Sequence, residues 1–451
     1  MERENEGDTT KEVECPSETI EDISTTLGFA EKFFTSFSFV YDFNNIKVLS
    51  EGRLGYFPDH WIEWASRIHK QDPAFSAIKT SVENPAKVHD SLPEDLQHFL
   101  REGAELRGMF QRLVRRDDGI LPELPKSLER GVGEKKSHEV ARLARFIARA
   151  CRERGVGHVV DVGSGVGHLG RALSEVYGLT VSCLEGDAEI AETAERREKG
   201  RCGRNGGGGD GVRYHNLRIG SDSAGQLEEI IAQAVGEKGG GVALVGLHCC
   251  GDLSADAIRI FLSIPSLSLL ALVPCCFHKA SLPNASMSGT GVAASPFMRR
   301  LAVQDSFSKW KAQTESEHER HMRVFGYRAI LEDFIRVRDI SVDKKRRRGR
   351  RTDSTETFKS WLSANFVITG EYDEEQLESC ARKYSQVLPV LEFITGLQQS
   401  LQDLALTHLV VDRVRYLLEQ PNVKEARVFE IFDAEVSSVN KLLFCTKDVT
   451  V

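Results

Sequence analysis

Residues 159–169 read Val159-Val160-Asp161-Val162-Gly163-Ser164-Gly165-Val166-Gly167-His168-Leu169, a short apolar run holding one acid, a loop with glycine at every second position, and the start of a helix. The run reads as a buried strand. Glycines at its end let the backbone approach a ligand where a β-carbon would clash, at a helix N-terminus that favours polar and anionic groups. Spacing alone does not choose the ligand. Gly165, Gly167 and Gly170 also satisfy the dinucleotide-binding pattern, which keeps a nicotinamide or flavin enzyme open.

Upstream, Pro122 and Pro125 break the pattern, and a new domain begins near Gly131. Ser137 is placed to cap a helix whose apolar face is Val140, Leu143, Ala144, Ile147 and Cys151. Downstream, a helix over 169–177 leads to a second strand at 181–184, ended by Glu185-Gly186-Asp187. A third strand is expected over 212–219, a fourth over 242–247 followed by a helix at 254–262, and a fifth over 267–273. Alternation at this pitch predicts an α/β fold with a doubly wound, Rossmann-like and mainly parallel sheet. Beyond it, 327–337 reads as another strand, 388–418 as one or two amphipathic helices, and 428–445 as closing strands.

The chain of 451 residues is 41% hydrophobic and carries a net charge of −8, which excludes a peptide, a collagen and wholesale disorder. Nine acids and two bases fall in the first 22 residues, so most of the negative charge sits in an acidic tail, read as residues 1–24. Residues 25–130 read as a helical accessory domain rich in core aromatics such as Phe33, Phe34, Trp61 and Trp64. Residues 131–451 form the main domain, with flexible insertions near 203–211, which holds six glycines, and near 341–356. Ten cysteines without a disulfide-like spacing, no long apolar run and no signal peptide lead to the expectation of a soluble protein of the cytoplasm or nucleus.

Asp161 directly before the glycine loop, joined to Glu185 at the end of the second strand, is similar to the S-adenosylmethionine site of class I methyltransferases. In that class the loop packs against the methionine part, and the second-strand acid accepts hydrogen bonds from the ribose hydroxyls. The fourth strand ends in Leu247-His248-Cys249-Cys250-Gly251-Asp252-Leu253 and the fifth in Val273-Pro274-Cys275-Cys276-Phe277-His278, so both should meet over the same crevice.

With Lys135-Lys136-Ser137-His138-Glu139-Val140, Val411-Asp412-Arg413-Val414-Arg415-Tyr416-Leu417, Ile431-Phe432 and Phe57-Pro58-Asp59-His60-Trp61, these motifs resemble the methyltransferase-like protein 25 family. Its relatives are called ribosomal RNA adenine dimethylase domain-containing proteins, and a more distant similarity runs to the tRNA 2′-O-methyltransferases of the acceptor stem. The resemblance implies a class I methyltransferase fold, S-adenosylmethionine as cofactor and RNA as substrate. It implies cofactor contacts from Lys136, His138 and Glu139, with Glu139 near the amino end, and from Asp161, Gly163, Ser164, Gly165, Gly167, His168, Leu169 and Glu185. The family's Ser-Pro before the lysines is Gly133-Glu134 here, and its Thr is Cys249. The Asn-Pro-Pro-Tyr-like motif that grips an adenine amine is absent, so the family label does not carry adenine dimethylation with it.

For methyl transfer, His248 and His278 are candidate bases, Asp252 an orienting carboxylate and Phe277 a stacking surface. Cys250, Cys275 and Cys276 admit a covalent route, in which a thiolate adds to a pyrimidine ring. Cys249, Cys250, Cys275 and Cys276 have the count for zinc but adjacent-pair spacing; they read as thiols lining the donor pocket, and no metal is assigned. Basic residues near 130–149, including Arg130, Lys135, Arg142, Arg145 and Arg149, suit RNA phosphates or a solvated face equally well, and the seven cations of 344–351 read as a solvated linker, a nuclear-targeting run or a phosphate contact. A protein acceptor, and a non-catalytic S-adenosylmethionine-binding module, are the alternatives.

Overall fold

The computed structural model describes residues 19–68, 82, 92–119, 124–205, 211–236, 240–336, 340–344, 357–370, 372–384 and 387–448. Residues 1–18 of the acidic tail, 206–210 of the glycine run and 345–351 of the cation run lie outside them.

Ten strands are described: β1 Val114–Arg116, β2 His158–Val162, β3 Thr180–Glu185, β4 Val212–Asn216, β5 Val242–Cys250, β6 Leu267–Cys275, β7 Ser341–Lys344, β8 Phe366–Thr369, β9 Val423–Glu430 and β10 Lys441–Lys447. Eight form one sheet in the order β1-β9-β10-β6-β5-β2-β3-β4, and β7 pairs with β8. β10 is antiparallel to both its neighbours, while the other pairings of the large sheet are parallel. From β2 the chain winds outward through β3 and β4, then returns to β5 on the other side. The reversal opens a crevice at the carboxyl ends of β2 and β5, where doubly wound sheets bind ligands.

The central strands are buried throughout, as parallel strands covered on both faces must be. The third strand stops at Asn216, short of the expected 219, and leaves 217–223 as a loop at the crevice. The helix expected from Ser137 starts earlier, spanning Glu134–Glu153 after Gly133, and the Ser137 N–H already donates to Gly133 O within its first turn. Residues 327–336 are the end of the helix Glu315–Arg336, not a strand. Tyr327, Ile330, Leu331 and Phe334 recur at helical spacing, and this period outweighs their β propensity.

Leu388–Leu418 is one helix of 31 residues, and it is buried on nearly every side rather than amphipathic. Its polar residues find partners inside: Gln398 Nε2 donates to Val40 O at 2.8 Å and Gln402 Nε2 to Ala302 O at 3.0 Å. Around it gather the N-terminal helices Ile20–Ser36, Asp59–Ile68 and Glu94–Leu113. Phe33, Phe34, Phe99 and Trp61 are buried there in ring contact with one another and with Phe393 and His408. This cluster is continuous with Val160, Leu244 and Leu270 on one face of the sheet. The residues before 130 thus share a core with the sheet, and β1 among them is its edge strand.

Candidate donor crevice and thiol cluster

Asp161, the last but one residue of β2, has 1% of its surface exposed, and its Oδ2 has no hydrogen-bond partner. Burial, only partly offset by Lys136 and the Gly170 N–H and reinforced by Glu185, raises its carboxyl to about 7. Gly163, Gly165 and Gly167 follow at φ of +64°, +56° and +79°, a region that costs other residues strain. A β-carbon on Gly163 would lie 2.9 Å from Leu253 Cδ2, and one on Gly167 would lie 2.2 Å from Tyr214 Oη, so these two glycines also serve packing. Gly165 differs, because nothing lies within 4 Å of its missing β-carbon. Gly170 is a contact between helix and strand, since a β-carbon there would meet Cys183 Sγ at 2.5 Å.

Glu185 ties the loop to β3. Its Oε2 accepts from Gly165 N at 2.9 Å and its Oε1 from Asp187 N at 3.0 Å. Gly163, Glu185, Asp187, the loop Leu217 to Ser223, Gln226, Cys250, Asp252 and Lys279 line a crevice of about 990 Å³. Of the remaining loop residues, Ser164 N donates to Leu184 O, Leu169 is buried in the core, and His168 lies beside Arg171. Burial, then Arg171, lowers the His168 imidazole to about 4. These three hold the loop in shape.

β5 ends in a bulge. Gly246 pairs with Leu272 and Cys249 with Pro274, so Leu247 and His248 together face Val273 alone. His248 sits at φ +64°, and its Nε2 donates to Glu139 Oε2 at 2.9 Å. Glu139, 1% exposed, also accepts from Ser437 Oγ at 2.8 Å and lies 3.8 Å and 3.9 Å from the ammonium groups of Lys135 and Lys136. Burial opposes its charge, but the His248 and Ser437 hydrogen bonds and Lys135 outweigh it and hold the carboxyl below its usual range. Ser437 lies 298 residues from Glu139, beyond any local pattern. His138 points elsewhere, its Nε2 accepting from Asp433 N at 3.1 Å beside the Phe432 ring.

Three thiols meet at the ends of β5 and β6. Cys250 Sγ lies 3.2 Å from Cys275 Sγ and 3.5 Å from Cys276 Sγ. Cys250 is exposed, Cys276 half-buried and Cys275 buried. Hydrogen bonding from Cys275, then from Cys276, with His248 and Lys279 nearby, pulls the Cys250 thiol down against the opposing effect of burial. Cys275 is pushed up by its hydrogen bond to Cys250 and by burial. Cys249 stands apart, fully buried over Gly246, where a β-carbon would meet its Sγ at 2.5 Å.

Two expected roles do not fit. Phe277 is fully buried with Arg413 4.8 Å over its ring, so it has no face to offer a substrate base. Asp252 Oδ1 already accepts from Ser281 N, Ser281 Oγ and Asn284 Nδ2 at 2.8–3.0 Å, which fixes the segment after β6. His278 is exposed; burial of part of its ring, then Lys279, Arg300 and Arg299, lower its imidazole.

The basic residues near 130–149 are largely occupied within the protein. Arg145 and Arg149 pair with the buried Asp117, and Arg142 Nη1 donates to Asp117 O. Lys135 and Lys136 face Glu139. Among the described residues, Arg218 and Lys279 at the crevice wall have no ion-pair partner, a pair that sequence inspection had not marked. Asp187 at the same wall caps the following helix by accepting from Glu189 N and Ile190 N, and Asp256 pairs with Arg259.

The strand order, the reversed β10 and the glycine loop between two strand-end acids define a class I methyltransferase fold. Residues 135–282, which carry that loop and both cysteine pairs, match the model of a family described as a methyltransferase domain. The chain is similar to the probable methyltransferase-like protein 25 of Homo sapiens, at 24% identity over 214 residues, 42% of this chain and 34% of that protein. It thus matches about a third of that relative's length. Among solved structures, the sugar N-methyltransferase KedS8 from Streptoalloteichus sp ATCC 53650 is 20% identical, covering 35% of this chain and 56% of that one at a TM-score of 0.21. Mitomycin 7-O-methyltransferase MmcR is 19% identical, covering 50% and 53% at a TM-score of 0.21. No described helix is long and apolar enough to cross a membrane.

Proposed function

We propose that this chain is an S-adenosylmethionine-dependent methyltransferase whose donor lies along the glycine loop, with the acceptor entering from the Cys250 side of the crevice. The observation that carries this reading is the Asp161, Gly165 and Glu185 arrangement. A buried carboxylate oxygen without a partner, a glycine with open space where its β-carbon would stand and a strand-end carboxylate fit a cationic, ribose-bearing ligand. When bound, S-adenosylmethionine supplies an electrophilic methyl group on a sulfonium.

Each residue then has a task. Glu185 has lone pairs left on both oxygens for the ribose hydroxyls. Asp161, when ionised, offers a charge to the cationic donor. His248, oriented by Glu139, takes a proton where the acceptor must lose one. Displacement at a methyl group otherwise demands alignment, which rigid strand ends supply.

RNA is the proposed acceptor. It is supported by the family resemblance and by the exposed crevice-wall cations Arg218 and Lys279, while Asp187, Asp222, Asp252 and Asp256 of the same wall are engaged by protein groups and Glu185 is assigned to the donor. Three neighbouring free thiols suit a reducing compartment, hence cytoplasm or nucleus. Incubation of the purified chain with methyl-labelled donor, total RNA and a protein extract tests the reading. Label is expected in RNA and lost with His248→Ala. Label in protein alone moves the acceptor class, and donor binding with no label in any fraction favours the non-catalytic module.

A further inference from the structure

Adjacent-pair spacing argues against a metal only if all the ligands must come from one local motif. The fold removes that condition, because Cys250 and Cys275 are direct partners across the parallel β5–β6 pair. Cys276 follows at φ +49° and ψ 38°, one of two described non-glycine residues with positive φ. That left-handed turn brings its thiol back toward the other two instead of letting the chain run on.

The three sulfur atoms lie within 4.8 Å of one another, with contacts of 3.2 Å and 3.5 Å about Cys250. Tetrahedral zinc with Zn–S bonds of about 2.3 Å sets its sulfurs roughly 3.8 Å apart, so changes of no more than about 1 Å in any sulfur–sulfur separation would let the cluster hold an ion. Backbone strain persists where surrounding structure over-determines it, and such positions cluster at functional sites. Here Gly251 N donates to Cys275 O at 3.1 Å, locking the two strand ends together.

We propose that Cys250, Cys275 and Cys276 bind one zinc ion as three thiolates and leave its fourth position open to the crevice. Structural zinc sites are closed by four protein ligands, whereas sites that act on a substrate keep one position free. Cys250 lines the crevice beside Lys279, so the free position belongs to the acceptor side. The ammonium of Lys279 offsets the net negative charge of an ion held by three thiolates. An acceptor atom or water bound there would lose its proton more readily, a second route to deprotonation beside His248. Cys249 is not a ligand, since its thiol is packed under Gly246. The site rests on its own geometry and stands or falls separately from the methyl-transfer reading.

The test uses tag-free, full-length protein purified and kept reduced under argon. Elemental analysis after incubation with zinc chloride and desalting is expected to give about one equivalent of zinc. Titration with cobalt chloride is expected to give an intense thiolate-to-cobalt charge-transfer band with tetrahedral visible bands. Cys276→Gly relaxes the backbone while removing one ligand, so the fold is retained by circular dichroism while zinc affinity falls at least about 100-fold. No charge-transfer band in the reduced wild-type protein, or an undiminished band in Cys276→Gly, overturns the site.

Discussion

His248 Nε2 stands 2.9 Å from Glu139 Oε2, joining a strained bulge at the end of β5 to a buried carboxylate one helical turn into Glu134–Glu153. The contact fixes the ring on a backbone that costs roughly 1 kcal/mol to hold in the left-handed region. A group that only filled space would not require such an arrangement. With the donor held along the glycine loop, Glu139→Gln is expected to lower kcat on the physiological acceptor by about 10–100-fold and to leave donor affinity nearly unchanged. Steady-state kinetics alongside donor calorimetry check this. A large loss of donor binding in Glu139→Gln would return Glu139 to the cofactor role that the family resemblance implies.

Asp161 makes donor binding depend on pH. Its carboxyl is raised to about 7, so near pH 6 only about a tenth of the protein carries the charge and near pH 8 about nine-tenths does. If the cationic donor requires the ionised form, apparent affinity rises by about tenfold over that interval. Calorimetric titration at both pH values reads it directly, and a flat profile removes Asp161 from donor recognition.

The same shift acts on stability. A carboxyl whose folded value lies above its unfolded value binds more protons when folded, so its contribution is fully present below about 4 and is lost as pH rises through about 7. The loss is on the order of 4 kcal/mol for a fully buried group. Asp161→Asn should therefore leave the free protein more stable than wild type at pH 8, with little difference at pH 4. Thermal unfolding at the two pH values decides it.

Asp412 and Arg413 lie together on the buried helix Leu388–Leu418, and neither faces the crevice. Asp412 accepts from Ser286 Oγ, Ser288 Oγ and Met287 N at 2.6–2.7 Å, and Arg413 Nη2 donates to Asn284 O at 3.1 Å. Together they tie down the segment after β6. Asp412→Ala leaves the Ser286, Ser288 and Met287 donors without their acceptor and is expected to cost about 3 kcal/mol. Urea unfolding checks it, and a loss below about 1 kcal/mol contradicts the pinning role.

The sheet was legible because each central strand is a short apolar run ended by glycine or an acid, which period and punctuation mark. Asp161, Gly165 and Glu185 were legible for the same reason, as strand ends of a doubly wound sheet converge on one crevice. Residues 327–336 misled because a short run of Tyr, Ile, Leu and Phe fits either period. The partners of His248 were hidden for another reason. Glu139, which holds His248, and Ser437, which donates to Glu139, come from opposite ends of the domain, and nothing local in the sequence announces that tertiary packing joins them. Phe277 looked available beside the cysteines, but Arg413, 136 positions later, covers it.

The central claim is that the glycine loop between Asp161 and Glu185 holds S-adenosylmethionine. Calorimetric titration of the purified protein with that donor, and in parallel with NADH, tests it most directly. One-to-one binding of the donor, absent with NADH and weakened on the order of 100-fold by Glu185→Ala, is the predicted result. Heat from NADH alone, or from neither ligand, would contradict the account.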